Sequence, residues 1–544
     1  MPSEITIQRN AVPTFPGQIR HRWLPLLPLL LSGALLLTAA SVGAQEGPPD
    51  PQTAGESPGA RDPEGPLVID LTLERMVELA LSSSYRVRQL NLSIDRTRHR
   101  LRAEQARLKS RVGLELTVPA FNATSEPKWN STLQRDEIVD TKSQLWEGEL
   151  SVRQPLILFG FPTNGYFSFN NRMYRLGQSQ PDGSREVDYY NRYYIRYVQP
   201  LFQPNRLKND LEEAELDLED AELNFREDVV RIVGDLSGDY YDLFEDAYTR
   251  VINERLVETL ERALTIASAR AREDSTRAIE ESQIQVELAN AREQVQGAES
   301  AFRLRASSIK IRLGLSEQDT ITVDPTPTLE PVNVDPEQAT SYAVERSPRL
   351  RQLDLSRREG EISLDETKGR NSFRMDVSLS YGREMYQPEF ELLWEDPENS
   401  YTVNVNAYIP LWDWGERDLR VESRKIGIQQ TDVRIEEAQN GIMSSVRNEV
   451  RNVEEYERRT FAMRDNLDLA REISESSLDR YAQGEISVLD LIQSLRREAD
   501  TAENFLDTYL AWRRAILSLQ ELTYHDYEKD MPVLERFGVA EPDL

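Results

Sequence analysis

Two periodicities divide this chain. In short segments apolar residues fall at every second position: Met375, Val377, Leu379 and Tyr381 alternate with Arg374, Asp376, Ser378 and Ser380, and Tyr401, Val403, Val405, Ala407 and Ile409 with Thr402, Asn404, Asn406 and Tyr408. That spacing predicts strands with one apolar and one polar face. Elsewhere the chain runs long without proline and is rich in Glu, Arg, Leu and Ala, from Asn205 to about Arg272 and from Glu416 toward Ala482. Val446, Val450, Val453 and Tyr456 recur there at three-and-four spacing, a narrow stripe suited to coiled-coil packing with the other face left in water. The first run predicts a helix of about 100 Å at about 1.5 Å per residue.

The pattern occurs twice. Arg86-Val87-Arg88-Gln89-Leu90-Asn91-Leu92-Ser93 recurs as Arg349-Leu350-Arg351-Gln352-Leu353-Asp354-Leu355-Ser356, six of the eight residues being identical at an offset of 263. The same offset lays the segment from Arg111 to Val118 on Arg374 to Tyr381, apolar on apolar. Further on, Gln199-Pro200-Leu201-Phe202 faces Ile409-Pro410-Leu411-Trp412 at an offset of 210, so the first copy holds 53 extra residues. Each copy reads helix, strand region, Pro-Leu corner, very long helix, turn and long helix, with Pro325, Pro327, Pro331 and Pro336 at the joint. The implied division is a first repeat over 67–315 (strands within about 112–200, long helices about 205–315), a linker over 316–336, a second repeat over 337–523 (strands about 374–384 and 401–410) and a tail over 524–544.

A dyad strand suits either the wall of a membrane barrel or an ordinary half-buried sheet. Two strands per copy give four per chain, too few to close a barrel alone, so the membrane reading demands oligomers. Within the 53 extra residues, Trp146, Gly148, Leu150 and Val152 alternate with Glu147, Glu149, Ser151 and Arg153, and Phe167 and Phe169 with Tyr166, Ser168 and Asn170. They read as one added hairpin, which either joins the sheet, making six strands, or projects as a surface loop. Tyr193, Tyr194, Tyr197, Trp394, Tyr401, Trp412 and Trp414 gather near strand ends, as interfacial girdles do.

The N-terminus adds an address. Arg20, His21 and Arg22 precede an apolar run from Trp23 to Ala40, followed by Val42-Gly43-Ala44. Residues 1–44 therefore read as a cleaved secretory signal, with a single membrane anchor as the alternative, and the Pro-, Gly- and Ser-rich stretch 45–66 as a flexible leader. Removing a basic signal leaves the remainder more acidic than the −29 of the whole chain, which disfavours nucleic acid as a partner. No cysteine is present, which excludes disulfides, thiolate nucleophiles and Cys-based metal sites. Of three histidines, His21 lies in the signal, and His99 and His525 read as surface residues. No metal triad, Ser-His-Asp set or phosphate loop can be assembled, so no cofactor and no enzyme activity are expected.

The Leu71-Thr72-Leu73-Glu74 opening, the Pro410-Leu411-Trp412-Asp413-Trp414-Gly415 corner and the Tyr481-x-x-Gly484-x-x-Ser487-x-x-Asp490 turn, in this order and across a duplication, resemble the TolC-like outer-membrane efflux family over 67 to about 523. The resemblance implies a mainly α chain with a membrane β-barrel portion: a homotrimer in which each protomer gives strands to one shared barrel and long helices to one periplasmic tunnel. It implies a passive conduit in the outer membrane, opened by a periplasmic adaptor and an inner-membrane pump. The residue reading alone also allows a secreted or periplasmic coiled-coil scaffold or adhesin. On the tip motif Asp490 takes the place of an acidic ring at the constriction, with Glu280 opposite it in the first repeat, and Gly484, Ser487 and Asp274 mark the adaptor-contact tips. Gln493 stands where a second acidic ring is common, and Asp274 where glycine is usual. From the residues alone, Asp490 is equally an acid favoured by the dipole of a helix N-terminus.

Overall fold

The computed structural model describes residues 68–83, 85–131, 134–179, 184–273 and 278–538. The signal and leader expected over 1–66, and Asp274 at the first tip, lie outside these residues.

The described chain runs β1 (Val68–Asp70), α1 (Leu73–Ser83), α2 (Tyr85–Arg107), β2 (Arg111–Asn130), β3 (Arg135–Leu158), β4 (Phe161–Ser179), β5 (Arg185–Leu201), α3 (Arg206–Glu273) and α4 (Ala278–Leu313). After β6 (Thr320–Thr322) it continues as α5 (Pro336–Arg346), α6 (Pro348–Gly369), β7 (Arg374–Gln387), β8 (Glu398–Tyr408), α7 (Glu416–Gln483) and α8 (Val488–Thr523). A short β9 (His525–Asp526), β10 (Met531–Pro532) and α9 (Val533–Arg536) follow. Corresponding long helices have equal lengths, 68 residues in α3 and α7 and 36 in α4 and α8. At about 1.5 Å per residue the longer pair spans about 100 Å.

These helices are held by narrow apolar seams. Near the turns of the two long hairpins, Leu260, Ala267, Ile284, Leu288, Leu478, Tyr481, Leu491 and Leu495 form one buried cluster to which both repeats contribute. A larger cluster midway joins Tyr241, Phe244 and Tyr248 of α3 to Val446, Val450 and Val453 of α7 and Phe505, Tyr509 and Trp512 of α8. Between the seams the faces are charged. Cross-helix pairs such as Arg292 with Glu261 (2.7 Å) and Arg496 with Glu287 (2.5 Å) lie at the exposed surface, where single pairs add about 0–1 kcal/mol at most.

The tail corrects one expectation. His525 is buried: it packs against the rings of Tyr342 and Tyr527, with Nε2 3.1 Å from Asp530 Oδ1. The chain folds back through β9 and β10, held by Arg513, which donates to the Tyr241 hydroxyl and to Glu528 at 2.6 Å each, and by Arg536 paired with Asp526. Composition marked this segment as an acidic tail, and these long-range arginine contacts carry no local pattern.

One antiparallel sheet of six strands, in the order β2-β3-β4-β5-β7-β8, takes strands from both halves. The extra hairpin, β3 with β4, is an integral part of it. The sheet is open, with β2 and β8 as free edges. The helices join the strands at one end, and the turns between β2 and β3, β4 and β5, and β7 and β8 lie at the other.

Candidate functional site

Away from two irregularities, at Val118–Pro119 in β2 and Leu156 in β3, pairing register assigns the strand residues to sides. Val112, Val152, Phe169, Ile195, Tyr381 and Tyr401 form one row across all six strands, and the row two residues nearer the helices holds Phe167, Tyr197, Leu379 and Val403. The opposite side is polar, with Ser151, Asn170 and Tyr194 in one row and Glu149, Arg172, Arg192 and Glu384 in another. In water the apolar side of a sheet is covered. Here the rows nearer the helices reverse that relation, whereas farther out Asn191 and Met385, on the same apolar side, are buried. Val112, Phe167, Phe169, Ile195, Leu379, Tyr381, Tyr401 and Val403 are exposed, while Ser168, Asn170 and Tyr194 are buried. The polar side is also bonded to itself: Arg172 reaches Glu147 at 2.5 Å, Tyr174 stacks on Tyr190 with centroids 4.7 Å apart, Tyr190 donates to Glu384 at 3.0 Å, and Arg192 lies 4.7 Å over the Tyr194 ring.

At the helix end the apolar side finishes in aromatics. Trp412 and Trp414 pack edge to face at 5.5 Å, Phe202 packs on Phe373 at 5.3 Å, and all four are exposed. The corner is set by Asp413, whose carboxylate accepts from Gly415 N at 3.0 Å, Arg417 N at 3.3 Å and Asn371 Nδ2 at 3.0 Å. Gly415 adopts a left-handed conformation with φ 79°, so the chain turns into α7 directly behind the two tryptophans.

At the far end of the helices, Gly484 closes α7 with φ 83° and Ser487 opens α8. Ser487 Oγ accepts from Asp490 N at 3.2 Å, and Asp490 Oδ2 accepts from Ser487 N at 3.3 Å and Ser487 Oγ at 2.7 Å, a reciprocal capping box. The Ser487 hydroxyl and amide hold the Asp490 carboxyl below its ordinary range. Glu280 is engaged differently: it accepts from the Tyr481 hydroxyl at 3.0 Å. Tyr481 is fully buried, lies under Arg270 at 4.7 Å, and is pushed up to about 12 by burial and by the Glu280 hydrogen bond. Arg270 also donates to Ala482 O at 3.0 Å. The two hairpin tips are thus tied by Arg270, Tyr481 and Glu280, of which the sequence reading assigned a pore role only to Glu280 and placed Tyr481 in the turn motif. Residues some 200 positions apart give no local signal of such contact.

Among the described residues no cluster of His, Cys, Asp and Glu suited to a metal ion is formed, and no helix is long and apolar enough to cross a membrane. Fold and site together define a chain of long helical hairpins joined to an open six-stranded sheet whose apolar side is bare over the rows nearer the helices. Residues 340–523, about a third of the chain, match the model of the outer membrane efflux protein family. No curated protein sequence matches significantly. Among solved structures the chain is similar to CusC (TM-score 0.59, 13% identity, 84% of this chain and 93% of that one) and to the CmeC outer membrane channel of Campylobacter jejuni (0.60, 12%, 89% and 95%). A membrane protein from Pseudomonas aeruginosa is also similar (0.60, 16%, 84% and 91%). At these identities the likeness is one of fold: a TolC-like unit of long helices and a sheet.

Proposed function

We propose that three copies of this chain form a passive channel of the outer membrane, the exit duct of a tripartite efflux or secretion system. The reading is carried by one observation, a sheet whose apolar side is bare over the rows nearer the helices while Ser168, Asn170 and Tyr194 on its polar side are buried. In lipid an open sheet leaves the backbone groups of β2 and β8 unsatisfied, so β8 of each protomer pairs with β2 of the next. Six strands from each of three protomers give eighteen, a count at which barrels enclose a water-filled lumen. The helices continue that lumen through the periplasm to tips that meet the adaptor and the inner-membrane pump, and the duct itself performs no chemistry. The test is a trimer recovered from outer-membrane fractions that conducts ions in planar bilayers. A water-soluble monomer overturns the reading.

At the tips, Asp490 lines the constriction, and Arg270, Tyr481 and Glu280 hold the two hairpins closed. Gly484 and Ser487 shape the second adaptor contact, and Asp274 belongs to the first. Tyr481→Phe removes one hydrogen bond to a charged acceptor, worth about 1.5–3 kcal/mol, and is expected to raise single-channel conductance without loss of trimer. A conductance equal to wild type removes the latch role.

Asp490→Ala is expected to weaken cation block of the closed pore, since an acidic ring in a narrow lumen focuses potential. Ser487→Ala loosens the same cap but keeps the charge, so block that responds equally to both variants assigns the effect to the cap alone. Because the folded pKa of Asp490 is depressed, its cap contributes above the unfolded value of about 3.9 and is lost as pH falls through the lower folded value.

A further inference from the structure

The outward side of the sheet is not uniform. Near its outer end lies a groove of about 480 Å³ lined by Leu116, Trp146, Leu150, Met173, Tyr189 and Phe390. Its floor is Gly148, which stands in register between Leu116 and Met173, so one row of the apolar wall lacks a side chain. A Cβ on Gly148 would sit 3.2 Å from Leu116 Cδ2. From the Leu150 row to the Trp146–Arg175–Tyr189 row is four residues, about 14 Å along a strand. That is roughly half of a hydrocarbon core of about 30 Å, the depth of one leaflet.

The outer mouth of the groove is basic. Arg175 and Arg185 both reach over Gly177, their guanidinium nitrogens 3.9 and 3.8 Å from where its Cβ would stand, so the two cations share one patch. Lys142 lies on the same side, in register with Ser179 and Arg185. Of the strand carboxylates beside them, Glu186 and Asp188 fall on the polar side by register, and Glu147, at the edge of the groove, is paired with Arg172 at 2.5 Å. Asp140 shares the outward side one row beyond and accepts from Ser125 Oγ at 2.5 Å. In a chain of net charge −29, three cations gathered here oppose the general composition.

We propose that this groove binds a phosphate-bearing lipid of the outer leaflet, with an acyl chain over Gly148 and the phosphate between Arg175 and Arg185. The proposal rests on the membrane reading above. An unfilled hollow in a lipid-facing wall forfeits dispersion contacts along its lining, and an acyl chain restores them. Two guanidinium forks at its polar end match phosphate oxygens in charge and geometry.

The test is native mass spectrometry of the detergent-solubilised trimer titrated with bisphosphorylated lipid A and with the same lipid stripped of phosphate, alongside bilayer conductance on the same preparations. Wild type is expected to retain the phosphorylated lipid at least tenfold more tightly. The double variant Arg175→Gln, Arg185→Gln is expected to lose that preference, and Gly148→Leu to weaken retention of both lipids. Equal affinity for the two lipids in wild type, or a preference undiminished in the double variant, overturns the site. A trimer that conducts yet shows no preference overturns this site and leaves the channel standing, whereas a chain that neither assembles nor inserts overturns both.

Discussion

Leu379→Arg is expected to destabilise the membrane-inserted trimer, with about 2–4 kcal/mol, the cost of an arginine on a lipid face at the bilayer midplane, as the upper bound. Ser378→Arg, one residue away, is expected to change stability by less than about 1 kcal/mol and to alter ion selectivity instead. The two positions differ only in side: Leu379 shares its row with Tyr197 and Val403, Ser378 with Val198 and Asn404. Leu379 is already exposed in the protomer. If water lay against it, an added charge there would be nearly neutral, as at most surface positions. The ranking of the two variants therefore reads which side meets lipid. It is measured as the shift in urea midpoint for protein folded into lipid vesicles, and equal midpoints would remove the basis for the membrane wall.

The elements of this chain were legible to different depths, for physical reasons. A 68-residue helix must keep one seam apolar and the rest charged, and the absence of proline between Arg206 and Glu273 is a local signal that nothing tertiary can disguise. The dyad in β7 and β8 was equally local. Its meaning was not, because alternation is identical in a soluble sheet and a lipid wall, and only burial separates them: Ser168 and Asn170 covered, Phe167 and Phe169 bare. Strand length was also hidden. β3 begins at Arg135, well before the alternation at Trp146, because its outer part, like that of β2, is polar and extends beyond its last pairing with β4, Lys142 with Ser179.

The tip shows the same division at finer scale. A serine followed three residues later by an acid is readable as a capping box, and the bonds of Ser487 with Asp490 realise it. The tie from Tyr481 to Glu280 depends on how two helical hairpins pack, and no spacing along the chain encodes it. The cap and a pore role for Asp490 are compatible, since a carboxylate held ionised by its own hydroxyl and amide partners keeps its charge.

Single prolines in β8 are expected to abolish the trimer whichever way their lost donor pointed. Along an edge strand, successive N–H groups point alternately toward the paired neighbour and toward the open side. Val403→Pro and Asn404→Pro therefore remove, between them, one donor to β7 and one donor that has no partner within the protomer. If the protomer functions alone, the second loss is cheap, since proline is tolerated on the free side of an edge. If β8 is completed by β2 of the next protomer inside lipid, that position loses a ladder hydrogen bond where no water can replace it, at a cost of several kcal/mol. Both variants should then migrate as monomers on unheated gels and fail to conduct, with helix content by circular dichroism unchanged because α3, α4, α7 and α8 keep their own seams. A trimer that survives either substitution would place the closure of the barrel somewhere other than the β2 and β8 edges.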